Sequence, residues 1–250
     1  MDLNLSRRVA LVTGGGRGNG RAFALALARE GASVAVVDLE EEMAARVAQE
    51  IQNAGGSAVA IRADVSRWDD ISGAIQKTAQ QYGSLDILVN NAGLRIMSSL
   101  EETTDELWDL HINVCLKGVF YGCKAAAPIM KAQRWGRIIS ISSTSGRRGH
   151  PFGGSAYAAA KAGVLGLTKS VARELAPYGV TANAIAPGTV RTRFVDDFTP
   201  EQLENLRQRM PLGRIAEPED LVGTLLLLAS DAGGYITGQC ITVDGGQLMM

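Results

Sequence analysis

Short apolar runs rich in β-branched residues alternate with longer helical patterns along all 250 residues, and this alternation narrows the fold more than any other feature. Seven runs read as strands: 9–13, 33–38, 58–61, 85–90, 137–142, 181–186 and 239–243. Between them, segment 40–53 opens with Glu40, Glu41 and Glu42, where negative charge suits a helix N-terminus. It spaces Met43, Val47 and Ile51 along one stripe and stops at Gly55 and Gly56. Segment 68–82 repeats the pattern with Ile71, Ile75 and Ala79 before Gly83, and the Ala-rich segment 155–176 closes at Pro177. Strand, helix, strand repetition calls for right-handed crossovers and a parallel sheet covered on both faces. The expected fold is doubly wound α/β. One domain over 1–250 is expected, because α/β folds of this length commonly close around one core and no linker or repeat interrupts the pattern. The strandless stretch at roughly 189–215 reads as an insertion over the carboxyl ends of the strands, a substrate lid.

Charge limits the partners. The 25 basic and 26 acidic residues nearly cancel, so no bulk field favours nucleic acid or an anionic membrane surface; a small molecule or another copy of the chain is expected instead. Cys115, Cys123 and Cys240 form no metal-spaced cluster, and their odd number suits a reducing compartment. Cys123 and Cys240 read as small buried apolar groups. His111 and His150 are too few and too far apart for a metal site, so no metal is expected, although His150 could sit on a pocket rim. The first residues, Met1 to Arg8, do not read as a signal peptide, and no run reaches the roughly 18 apolar residues of a membrane span. A cytoplasmic location is expected.

The first strand runs into Thr13-Gly14-Gly15-Gly16-Arg17-Gly18-Asn19-Gly20, and a helical stretch follows at once. Such a turn aims free helix N–H groups and the positive end of the dipole at a pyrophosphate, and glycine leaves room for its approach. The spacing G-x-x-x-G-x-G departs from the common dinucleotide fingerprint G-x-G-x-x-G. Asp38, 20 residues after Gly18, ends the second strand with Leu39 beside it, where a carboxylate can hold the adenosine ribose hydroxyls and repel a 2′-phosphate. Arg17 argues the other way, since a guanidinium could pair with that phosphate. Asp38 should dominate, so NAD is expected ahead of NADP.

With its pattern T-G-x-x-x-G-x-G, the sequence resembles the short-chain dehydrogenase/reductase family. Further family motifs follow in order: Asp64-Val65, Asn90-Asn91-Ala92-Gly93, Ser143, Tyr157 with Lys161, Pro187-Gly188 and Val243-Asp244-Gly245-Gly246. The resemblance spans nearly the whole chain and implies a Rossmann-like sheet, a homotetramer and hydride transfer between a nicotinamide dinucleotide and a secondary alcohol or ketone. It implies that Asp64 and Val65 flank the adenine, that Asn91, Ala92 and Gly93 line the cofactor cleft, and that Pro187 through Thr192, with Gly188 and Val190, hold the nicotinamide carboxamide. Asn19 stands where the family carries an aliphatic residue. Leu225 to Leu228 could contribute to subunit interfaces.

Tyr157 and Lys161 lie four apart in a helical segment and so project from one face. An ammonium about 5 Å from a phenol oxygen, at an effective dielectric of ~20, favours the phenolate by ~3 kcal/mol. Tyr157 can then serve as general base towards an alcohol and general acid towards a ketone. Ser142, Ser143, Thr144 and Ser145 all offer a hydroxyl at the end of the fifth strand. Among them the family pattern selects Ser143 to hold the reacting oxygen. In the family Lys161 also bonds the nicotinamide ribose. Cys115 replaces the family's fourth catalytic residue, an asparagine, and Asn113, two positions earlier, should point away from the site. The cysteine retains the carbonyl that holds a relay water in the family, so a weakened relay with retained activity is expected. Arg147, Arg148, Arg191 and Arg193 flank the segments expected around the substrate, but solvated surface arginine is the commoner reading. The alternatives to an NAD(H) alcohol/ketone oxidoreductase are an NADP-dependent carbonyl or 3-oxoacyl reductase and a non-catalytic dinucleotide-binding sensor.

Overall fold

The computed structural model describes residue 3 and residues 5–150, 153–192 and 198–249. Arg193, one of the four flanking arginines, and part of the expected lid lie outside the described residues. Seven strands, β1 (Val9–Thr13), β2 (Ser33–Asp38), β3 (Ala58–Arg62), β4 (Ile87–Asn90), β5 (Gly136–Ile141), β6 (Val180–Pro187) and β7 (Cys240–Val243), form one sheet in the order β3-β2-β1-β4-β5-β6-β7. Every pairing is parallel. The helices that follow are α1 (Gly18–Arg29), α2 (Glu41–Asn53), α3 (Trp68–Tyr82), α4 (Asp105–Ile112), α5 (Gly118–Gln133), α6 (Ser145–Arg148), α7 (Ser155–Leu175), α8 (Pro200–Gln208) and α9 (Val222–Ala229). The doubly wound α/β expectation and the seven strands agree with this architecture.

Strand periodicity divides the core into two layers. Ala10 and Val12 of β1 pack with Phe23 and Leu27 of α1, Val47 and Ile51 of α2, and Leu225 and Leu228 of α9. Leu11, between them, faces the other way and joins Ile71 and Ile75 of α3, Val119 and Met130 of α5, and Val164 of α7. Because both faces are covered, the strands are apolar runs with little alternation, as a buried parallel sheet requires.

Three departures from the sequence reading have physical causes. Residues between β4 and β5, outside the helical segments expected from the sequence, form α4, a π-helical turn over Asn113–Lys117 and α5. The stripe Val119, Cys123, Ala126 and Met130 that buries α5 is present in the sequence, but the wider π turn interrupts the 3.6-residue period. Leu225 and Leu228 are fully buried against the chain's own sheet, which corrects the expectation that they serve as interface residues. Cys240 is only half-buried, since β7 is the sheet's edge and has one strand neighbour; Cys123 is buried as expected. The stretch at 189–215 contains α8 and a bridge between Val190 and Ala216 that ties its two ends together. Among the described residues, no helix is long and apolar enough to cross a membrane and no His, Cys, Asp or Glu cluster could hold a metal ion.

Candidate active site

Strand order reverses between β1 and β4, so a crevice opens at their carboxyl ends. The Asn91 amide spans it, donating to the Thr13 and Gly14 carbonyls, both at 3.0 Å. The Thr13 hydroxyl in turn accepts from the N–H groups of Asn91 and Ala92, at 3.0 and 3.1 Å. Thus Asn91 anchors the glycine turn to β4 as well as lining the cleft. The turn must be glycine at Gly20, because a Cβ there would lie 2.0 Å from the Gly14 carbonyl oxygen, so α1 starts in direct contact with the turn.

Asp38 is the residue expected at the adenosine end. Its Oδ2 accepts from Gly16 N at 2.9 Å and its Oδ1 from Glu40 N at 3.1 Å, which fixes a nearly buried carboxylate under the glycine turn. Arg17, the residue that argued for a 2′-phosphate, is engaged by the Glu40 carboxylate. Leu39 is exposed beside Asp38. Asp64 Oδ1 accepts from both the N–H and the hydroxyl of Ser66, at 2.9 and 2.7 Å, turning the chain after β3, and Val65 is buried against Gly118. At the other end Asn19, Pro187, Gly188, Val190 and Thr192 line one pocket with Ser143, Tyr157 and Lys161. Asn19 Oδ1 is buried in that pocket and meets no hydrogen-bond partner among the described residues. A buried acceptor without a partner carries a cost that a donor on a bound ligand would remove. Together with the glycine cradle at the N-terminus of α1, this fits a dinucleotide.

The candidate catalytic groups come from two elements that are pressed together. Gly146 of α6 has no room for a side chain, since a Cβ would lie 2.6 Å from the Lys161 carbonyl carbon; the segment after β5 therefore sits directly on α7. The Ser142 hydroxyl is used there, donating to Lys161 O at 2.8 Å. Ser143 Oγ accepts from Ser145 N at 3.1 Å, which orients it within the pocket. Packing thus separates two of the four hydroxyl candidates that sequence chemistry left equivalent. Lys161 is buried, donates to Ile141 O at 2.7 Å and places Nζ 5.9 Å from the centre of the Tyr157 ring. A Cβ on Gly93 would lie 3.5 Å from that Nζ, so the β4 loop closes over the lysine. His111 is buried and satisfied: Nε2 accepts from Ile96 N at 3.2 Å and Nδ1 contacts Leu107 O at 2.8 Å.

Cys115 lies in the π turn, fully buried. Its thiol donates to Leu94 O at 3.4 Å and accepts from Leu94 N at 3.5 Å, one residue after Gly93. Arg147 donates to Cys240 O at 2.6 Å and Arg191 pairs with Glu217 at 2.9 Å, so of the flanking arginines described only Arg148 lines the pocket. Sequence reasoning missed Arg95, Phe198, Leu206 and Arg209, which also line it. Arg95 could have been found by position, two residues after Gly93 at the carboxyl end of β4. Burial holds its guanidinium below the ordinary range, with attraction to Tyr157 opposing. Burial first, then Arg95 and Arg148, push His150 down from its usual value, against a hydrogen bond with the Gly153 backbone.

A parallel sheet in this order, a glycine turn at its switch point and a serine, tyrosine and lysine gathered beside it define a Rossmann-type dinucleotide-binding oxidoreductase. The family model described as enoyl-(acyl carrier protein) reductase matches residues 14–247. A 3-oxoacyl-(acyl-carrier-protein) reductase of Staphylococcus aureus is 45% identical over 241 residues, 96% of this chain and 98% of the relative. The Synechocystis enzyme with that name is 44% identical over 247 residues, 98% of each chain. A short-chain type dehydrogenase/reductase from Mycobacterium marinum superposes with a TM-score of 0.95 at 37% identity, covering 100% of this chain and 99% of its own. The chain belongs to the short-chain dehydrogenase/reductase family, whose members bind a nicotinamide dinucleotide.

Proposed function

We propose that this protein moves a hydride between NAD(H) and a secondary alcohol or ketone, with Ser143, Tyr157 and Lys161 as its catalytic residues. The observation that carries this reading is their convergence: Ser143 oriented by Ser145 N, Tyr157 facing the same pocket, and a buried Lys161 with Nζ near Tyr157 and Gly93. The dinucleotide, when bound, supplies or accepts the hydride. Ser143 holds the substrate oxygen by its hydroxyl, and Tyr157 gives or takes the proton at that oxygen. Lys161 brings its amino group beside the Tyr157 ring, where it can orient the reacting groups and support charge that develops as the proton moves. The adenosine end is assigned to Asp38, Leu39, Asp64 and Val65, the pyrophosphate to the turn from Gly14 to Gly20, and the nicotinamide end to Asn19, Gly93 and the segment Pro187 to Thr192.

NAD is favoured because Asp38 is fixed at the end of β2 while Glu40 engages Arg17. The second reading is an NADP-dependent 3-oxoacyl reductase, whose 3-oxoacyl part draws on the names of the 45% identical relatives. We assign the chain to one domain with a lid over 189–215, supported by Phe198, Leu206 and Arg209 on the pocket wall, and to a homotetramer in the cytoplasm. A panel of alcohols and ketones with each dinucleotide, followed by nicotinamide absorbance, tests the activity. Turnover of secondary alcohols or ketones with NAD(H) is expected; binding of the dinucleotide without turnover of any member would instead favour a sensor.

A further inference from the structure

Asn19 brings an amide to a position where the family resemblance calls for an aliphatic side chain. Its backbone is fixed from both sides. Gly18 adopts a left-handed φ of 51°, and a Cβ there would lie 3.2 Å from Thr192 Cγ2; Gly20 is packed onto the Gly14 carbonyl. The side chain between them lines the pocket shared by Ser143, Tyr157 and Lys161, and neither Asp38 nor Asp64 is among that pocket's described lining residues. Asn19 thus belongs to the reacting end of the crevice, next to the segment from Pro187 to Thr192, and not to the adenosine end.

Oδ1 is buried although the residue as a whole is half-buried, and it meets no hydrogen-bond partner among the described residues. This oxygen has therefore lost its water before any ligand arrives, and a donor on a ligand gains a hydrogen bond without that further penalty. The donors that a nicotinamide dinucleotide can bring are few. Its phosphates present acceptors, its adenine amine belongs at the other end with Asp38 and Asp64, and the family resemblance gives the nicotinamide ribose to Lys161. The carboxamide N–H groups remain. The segment expected to hold the carboxamide is the one that meets Gly18 at Thr192. An amide oxygen can accept from such a group, and an aliphatic side chain cannot.

Resting on the nicotinamide site assigned above, we propose that Asn19 Oδ1 accepts a hydrogen bond from the carboxamide N–H of the bound nicotinamide and so selects dinucleotides that carry a carboxamide over those that do not. The bond restrains rotation of the carboxamide about its link to the ring. It moves neither the hydride nor the proton.

The test is a binding cycle that needs no substrate. NADH and reduced 3-acetylpyridine adenine dinucleotide, in which a methyl group replaces the carboxamide nitrogen and the carbonyl is kept, are titrated calorimetrically into wild type, Asn19→Leu and Asn19→Asp. Both are used with and without the 2′-phosphate, which belongs to the adenosine end and drops out of the ratio. The bond should raise the ratio of the acetyl analogue's Kd to that of NADH in wild type about 3- to 10-fold above the ratio in Asn19→Leu. Asn19→Asp keeps an acceptor oxygen and places a negative charge where the first turn of α1 tolerates it; it should weaken both dinucleotides by repelling the pyrophosphate and keep at least the wild-type ratio. Equal ratios in wild type and Asn19→Leu, as when Oδ1 meets the substrate or a group of the protein instead, overturn the proposal and leave the oxidoreductase reading intact. A ratio lost in Asn19→Asp as fully as in Asn19→Leu overturns it as well, since the acceptor would not be what discriminates. If no dinucleotide binds wild type, the nicotinamide site falls and the role of Asn19 with it. Because only binding is read, the comparison holds whether or not a ketone turns over.

Discussion

Replacing Asp38 separates two roles proposed for one carboxylate. Asp38→Ala removes the acceptor for Gly16 N at 2.9 Å, inside the turn, and for Glu40 N at 3.1 Å, which water can reach. A hydrogen bond to a charged group contributes ~1.5–3 kcal/mol, and the Glu40 N–H can regain much of its loss from solvent, so the change should destabilise by about 2 kcal/mol. For a chain of this size that is a fall in Tm of roughly 4–8 °C. The electrostatic role is larger in its effect on ligand choice. A phosphate brought beside a fixed carboxylate at an effective dielectric of ~20 is repelled by a few kcal/mol, so wild type should prefer NADH to NADPH at least tenfold. Asp38→Asn keeps an oxygen for Gly16 N and loses the charge; it should retain most of the stability and lose most of the preference. Thermal denaturation and nucleotide titration read the two roles separately. Equal binding of NADH and NADPH by wild type would refute the charge argument, and an unchanged Tm in Asp38→Ala would refute the anchoring argument.

Tyr157→Phe should lower the hydride-transfer rate about 10²–10⁴-fold with NADH affinity largely kept, and Ser143→Ala about 10²–10³-fold, in pre-steady-state measurements with a substrate from the panel. More than about a tenth of the wild-type rate in Tyr157→Phe would remove the proton-transfer role. Lys161→Ala should weaken NADH binding as well as rate, because its Nζ sits by Gly93 and bonds Ile141 O; a loss in rate alone would leave only the effect on Tyr157. His150, held below its usual value by burial, Arg95 and Arg148, binds fewer protons folded than unfolded in the range below about 6.5. Its contribution to stability is therefore present above that value and lost as pH falls through the folded one, so urea midpoints for wild type should drop more than those of His150→Gln between neutral pH and about 5. Light scattering should give the mass of a tetramer, and a monomer at working concentration would count against that assignment.

Local features of the site were legible because they are written in local spacing. Tyr157 and Lys161 are one helical turn apart, Asp38 ends a strand, and the glycines sit between a strand and a helix. Convergence was not legible in the same way. Nothing in the sequence around Arg209 or Phe198 ties them to Arg95, more than 100 positions earlier, and only packing brings them to one pocket. The arginines that sequence position favoured show the converse: Arg147 and Arg191 lie in the right segments but are turned onto Cys240 O and Glu217. Leu225 and Leu228 failed for another reason, since an apolar helical face has the same pattern whether it meets a partner subunit or, as here, the chain's own β-sheet.

Cys115 illustrates how a departure from a family pattern can be tolerated. A side chain at this point of the π turn meets both backbone groups of Leu94, and the thiol can donate to one and accept from the other. An asparagine amide offers the same pair of functions with stronger hydrogen bonds. The cysteine therefore ties the π turn to the β4 loop through weak hydrogen bonds, and its own carbonyl remains in the turn. Leu94 adjoins both Gly93, which closes over Lys161, and Arg95, which lines the pocket with Tyr157. A weaker tie at Leu94 consequently bears on the positions of both Lys161 and Arg95. Lys161 and Arg95 are thus linked through one loop to Cys115, the residue that departs from the family pattern.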